Sequence, residues 1–155
     1  MLRTSEAPSY RLRCDGAARG NPGPAGIGVV LEDLSGEVVD ELARGIGWAT
    51  NNVAEYRALI AGLELAQARG VDKLVILMDS RLLVEQMRGA FRVKSPGLKP
   101  LHARARELAA SFRQISFEAV ARGANRAADR LANQGIDGDN PLAEAPGADD
   151  AQRLF

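Results

Sequence analysis

The chain has 155 residues, 46% hydrophobic and 26% charged, the composition of one folded domain; at this length roughly 70% of the unfolded surface becomes buried. No apolar run approaches the ~20 residues of a membrane span, the opening MLRTSEAPSY lacks an apolar export core, and the single Cys14 has no internal disulfide partner. These features argue against a membrane or disulfide-stapled class, and a cytoplasmic protein, monomeric by default, is expected.

Zero net charge conceals a split along the chain. Residues 1–80 carry 8 Lys/Arg against 11 Asp/Glu, residues 81–130 carry 11 against 4, and residues 131–155 carry 1 against 5. A basic third quarter could meet a polyanion and an acidic first half could hold cations; both could equally be solvated faces.

In chain order, Tyr10, Leu12 and Cys14 alternate with Arg11, Arg13 and Asp15, the pattern of a strand that Asp15 ends. GIGVVLED (26–33) and EVVDELARGIG (37–47) read as two more strands around a short hairpin, so the first three strands are expected to be antiparallel. TNNVAEYRALIAGLELAQARG (50–70) is a helix capped by Thr50 and Asn51, with a stripe of Ala54, Ala58, Ala61, Leu65 and Ala68 facing a sheet. DKLVILMD (72–79) is a buried strand and SRLLVEQMRG (80–89) a short helix. AFRVKSPGLKP breaks the pattern; LHARARELAASF (101–112) is a helix, QISFEAVA (114–121) a fifth strand, and NRAADRLANQGI (125–136) a helix capped by Asn125. This order predicts an α/β fold, one mixed sheet flanked by helices. Residues 1–9 read as an N-terminal extension, 10–136 as the domain, and 137–155 as a flexible tail or linker.

Acids occupy comparable places: Asp15 and Asp79 at strand ends, Glu55 and Asp129 on helices. A strand-end acid sits where ligands bind in open α/β sheets, yet Asp79 could cap the next helix and Asp15 could belong to a turn. Brought together, the four would repel one another unless a cation bridged them, and an oxygen-only donor set favours Mg²⁺ or Mn²⁺ over zinc.

CDGAARGNPGPAG, TNNVAEYRAL, LMDS and ARGANRAADRLAN, in this order and on these elements, resemble type I ribonuclease H across roughly residues 10–136. The resemblance implies a ribonuclease H-like fold with a five-stranded mixed sheet. It also implies an endoribonuclease that hydrolyses the RNA strand of an RNA/DNA hybrid and leaves 5′-phosphate and 3′-hydroxyl ends. Asp15, Glu55, Asp79 and Asp129 would be the catalytic carboxylates holding two Mg²⁺ or Mn²⁺ ions. Asn21, Asn51 and Asn52 would contact the nucleic-acid strands, with Thr50 near a DNA phosphate. Gly20, with Gly23 and Gly26, would present backbone amides from a loop.

Two features depart from the family pattern. The loop before the last helix, ARGANRAAD, has no histidine; Arg122 stands near that place and could meet phosphate, but its guanidinium cannot act as a base. The only histidine, His102, reads as a helix-surface residue. MRGAFRVKSPGLKP is too short and broken for the basic helix some members use to grip hybrid, leaving Arg92, Lys94 and Lys99 to compensate. The alternatives are a hybrid-binding module with weak or lost catalysis and another nuclease of the same fold. Some bacterial proteins join such a domain to a phosphatase, so a C-terminal fusion partner is also conceivable.

Overall fold

A computed structural model describes residues 8–138; positions 1–7 of the expected extension and 139–155 of the expected tail lie outside the described residues. The elements are β1 (Ser9–Ala18), β2 (Gly23–Asp33), β3 (Val38–Ala49), α1 (Asn51–Ala68), β4 (Lys73–Met78), α2 (Arg81–Met87), α3 (Lys99–Ala109), β5 (Gln114–Ala119), a 3₁₀ turn (Arg122–Asn125) and α4 (Arg126–Asp137). They form one five-stranded sheet in the order β3-β2-β1-β4-β5. β1, β2 and β3 pair antiparallel, as the pattern predicts, and β4 and β5 join parallel, which makes the sheet mixed.

The even positions of β1, Leu12 and Cys14, lie under α1, where they approach Gly62. Together with Leu59, Leu63, Ile76, Met78 and Val84 they form the fully buried centre of the core, each large aliphatic side chain contributing about 1.5–3 kcal/mol on burial. The opposite face of β1, β2 and β3 is covered by α4.

Backbone contact on both faces depends on missing side chains. A Cβ on Gly16 would lie 2.2 Å from the Ala54 carbonyl carbon of α1, and one on Gly28 would lie 2.1 Å from the Ala128 carbonyl oxygen of α4.

Several local expectations change. β1 runs three residues past Asp15, because Gly16, Ala17 and Ala18 still pair with β2, so Asp15 is inside a strand rather than at its end. The supposed glycine loop shrinks to residues 19–22: Gly23 opens β2, and Gly26 lies against the Ala132 carbonyl oxygen of α4, where it cannot face a ligand.

The buried face of α1 centres on Ala54, Ala58, Leu59, Gly62 and Ala66; Ala61 and Leu65 are half-buried and Ala68 is exposed. The shift arises because α1 packs on the sheet and on α3 as well, so apolar residues are needed on more than one side. α3 starts at Lys99, with Pro100 in its first turn, where a missing N–H costs nothing.

His102 is half-buried rather than on the surface. Its Nε2 lies 3.2 Å from the Gln86 carbonyl oxygen, and its ring stands edge-on to Tyr56, whose hydroxyl donates to Gln86 Oε1 at 2.6 Å. Asn125 begins α4 without capping it, since its side chain turns inward instead.

Gly28→Ala should therefore destabilise the domain by about 1–3 kcal/mol, the range for overpacking a close contact, and urea denaturation measures it. An unchanged midpoint would show that α4 can retreat from β2 without cost.

Candidate active site

Sheet register places the first two acids. The parallel pairing of β1 with β4 ends at Arg13↔Leu77, and Asp15 and Asp79 each stand two residues further along, on the same face by the two-residue period. Asp79 follows the last residue of β4 and does not cap α2. Ser80 does, its hydroxyl accepting from Leu83 N–H at 3.3 Å, which leaves the Asp79 carboxylate available.

α1 supplies the third acid. Thr50 caps the helix by accepting from Val53 N–H at 3.2 Å, and Asn21 Oδ1 accepts the Asn51 N–H at 3.0 Å, so two of the helix's unpaired amides are satisfied. Glu55, one turn in, accepts the Gly16 N–H at 2.9 Å. Thus Gly16 both admits the helix and orients its carboxylate.

Carboxylate oxygens of Asp15, Glu55 and Asp79 lie within 4.8 Å of one another. Asp129, on the first turn of α4, approaches from the opposite face, lines the same cavity as the other three and adds its negative charge beside Asp15. The structure therefore brings all four sequence-predicted acids together.

The environment resists this much negative charge. Asp15 is only 5% exposed; burial, then the charges of Glu55, Asp79 and Asp129, push its carboxyl far above the usual carboxylate range. Burial raises Glu55 to about 7, although the Gly16 amide and the Arg122 guanidinium pull the other way. Asp79 is raised for the same first reason and is likewise eased by Arg122. Cys14, next to Asp15, is fully buried and its thiol is held protonated by burial and both neighbouring acids, which excludes it as a nucleophile or soft ligand.

The four carboxylates line a cavity of about 330 Å³ with Gly16, Ala17, Ala18, Asn51 and Arg122. A dense all-oxygen anionic set, driven to take up protons when alone, fits a hard divalent cation.

The other predicted contacts divide by position. Asn21, Thr50 and Asn52 line a second cavity of about 380 Å³ with Ser95 and Leu98. Asn52 also borders a third of about 610 Å³, which Phe91, Arg92 and Lys94 line. Gly20 sits in the 19–22 turn at φ +109° and lines neither of the first two. Sequence reasoning missed Ser95, Leu98 and Phe91, whose irregular segment carries no periodic signal.

A family model described as reverse transcriptase-like matches residues 13–135. The chain is 50% identical over 127 residues to the bifunctional protein Rv2228c of Mycobacterium tuberculosis, covering 81% of this chain and 35% of that protein, so it spans about a third of that relative. It is 47% identical over 123 residues to ribonuclease HI of Halobacterium salinarum, covering 79% of this chain and 62% of that one. A solved structure of LC11-RNase H1 in complex with RNA/DNA hybrid superposes with a TM-score of 0.79 at 44% identity, covering 83% of this chain and 96% of that one. Sheet order, acid geometry and these similarities agree across nearly the whole described chain, which belongs to the type I ribonuclease H family.

Proposed function

We propose that the chain hydrolyses the RNA strand of RNA/DNA hybrids as an endoribonuclease, with Asp15, Glu55, Asp79 and Asp129 holding two Mg²⁺ or Mn²⁺ ions. The observation that carries this reading is the convergence of three carboxylates within 4.8 Å beside Asp129. When bound, such a cation pair supplies Lewis acidity for water activation and for charge on the leaving oxygen, yielding 5′-phosphate and 3′-hydroxyl ends.

The chain's own groups set the rest. Gly16 N–H holds Glu55 in place, and Asp15, the most buried of the four, anchors the set between α1 and α4. Arg122 places a permanent positive charge at the cavity wall, suited to a phosphate oxygen and unable to exchange protons. Asn21, Thr50 and Asn52 border the neighbouring cavity, and Asn51 the acidic one. Their amides and the Thr50 hydroxyl suit sugar and phosphate contacts, where the 2′-hydroxyl distinguishes RNA from DNA. Arg92 and Lys94 add positive charge along the third cavity, in place of a basic helix. A bare hybrid-binding role is disfavoured, because four clustered carboxylates would repel phosphates unless cations offset them.

Among the described residues no helix is long and apolar enough to cross a membrane. We read the protein as a cytoplasmic monomer.

End-labelled hybrid, duplex RNA and duplex DNA, each with Mg²⁺, Mn²⁺ or chelator, test the activity directly. Only the hybrid should be cut, and only with a cation; cleavage in chelator would sink the metal reading. Asp79→Asn should lower cleavage at least about a hundredfold, since even groups that merely support a ligand cost 10–100-fold, while the metal-free variant melts no lower than the parent.

A folded-state carboxyl raised above its unfolded value binds more protons when folded, so stability falls as pH rises. For Glu55 the metal-free protein should lose stability from the ordinary carboxylate range up through about pH 7. Added Mg²⁺ should raise the melting temperature more at pH 8 than at pH 5.5; an equal rise at both would contradict this. Because Arg92 and Lys94 act through charge, KM for hybrid should rise at least about tenfold between 50 and 200 mM salt.

A further inference from the structure

Asn125 is fully buried, with 0% exposure, at the junction between the 3₁₀ turn and α4. Its Nδ2 donates to the Cys14 carbonyl oxygen at 2.9 Å. Only the amide nitrogen can donate to a carbonyl, so this contact determines which way the side chain is turned. The consequence is that Asn125 Oδ1 has no hydrogen-bond partner among the described residues. A buried acceptor left unpaired costs free energy, yet the side chain forgoes capping α4 in order to reach β1.

What it reaches is the peptide unit leading into Asp15, while its own backbone stands one helical turn before Asp129. Asp15 and Asp129 line the same acidic cavity, Asp15 from β1 and Asp129 from α4. A second tie runs in parallel, Arg13 Nη1 donating to the Ala124 carbonyl oxygen at 2.9 Å, but that one is solvent-exposed and on a long side chain. The buried amide is the shorter and stiffer link.

We propose that Asn125 is a positioning residue that sets the separation of Asp15 and Asp129, and through it the affinity of the site for divalent cations. Like charges held close repel, so without a tether α4 relaxes outward and the acids spread. Asn21 in the 19–22 turn, Thr50 capping α1 and Asn52 on α1 line a cavity that neither Asn125 nor α4 borders. The inference rests on the reading of the four acids as a cation site.

Asn125→Ala removes the donor, and Asn125→Ser draws it out of reach of Cys14; either suffices should the other fail to fold. Ile136→Ala, at the far end of α4, serves as a variant that loosens the helix by lost packing alone. Calorimetric titration with Mn²⁺ alone should show the dissociation constant raised tenfold or more in the Asn125 variants and unchanged in Ile136→Ala. The cation concentration for half-maximal cleavage should rise by the same factor, with KM for hybrid at saturating cation within twofold of the parent. A lowered melting temperature with parental Mn²⁺ affinity would overturn the proposal and leave Asn125 a packing residue. Failure of the parent itself to bind Mn²⁺ would instead overturn the reading of the acids.

Discussion

Backbone-to-backbone contact on both faces of one strand pair is the constraint from which the site follows. β1 and β2 carry glycine where helices cross them, Gly16 beneath α1 and Gly28 beneath α4, and any Cβ there would sit inside a neighbouring peptide. Because neither helix is held off by a side chain, Glu55 and Asp129 arrive from opposite sides at the same residue, Asp15. Asp79 comes by a separate route, the parallel register of β4 beside β1. Packing and register thus determine a constellation whose members share no sequence neighbourhood.

The arrangement works against the stability of the metal-free fold. Burial is the first cause of the raised carboxyls at Asp15, Glu55 and Asp79, with mutual repulsion added to it. Two ordinary interactions offset this locally: the Gly16 amide on Glu55 and the Arg122 charge across the cavity. Neither neutralises the cluster. The same burial that makes the carboxylates costly on their own strengthens their attraction for a cation, since charge interactions are least screened there.

Sequence patterning reached most of the elements, and the reasons for its failures are local. The alternating pattern stops at Asp15 because Gly and Ala give no such signal, while pairing with β2 carries the strand on to Ala18. The stripe assigned to α1 assumed a single buried face, whereas α3 covers a second one. Asn125 has the residue type of a helix cap and the position of one, but a carbonyl 111 residues away competes for its amide. His102 looked solvent-exposed on an Arg-rich helix and is instead held between Gln86 and Tyr56.

By itself the sequence determined which residues can do chemistry: a carboxylate keeps its ligand character wherever it lies, and the spacing of TNNVAEYRAL or LVILMD dictates helix or strand through local sterics and periodicity. It left open whether Asp79 caps a helix and whether Asp15 belongs to a turn. Only the tertiary structure decided these, because capping is a competition that Ser80 wins through its hydroxyl and proximity depends on register and close packing. Those are relations between distant segments, and no window of sequence contains them.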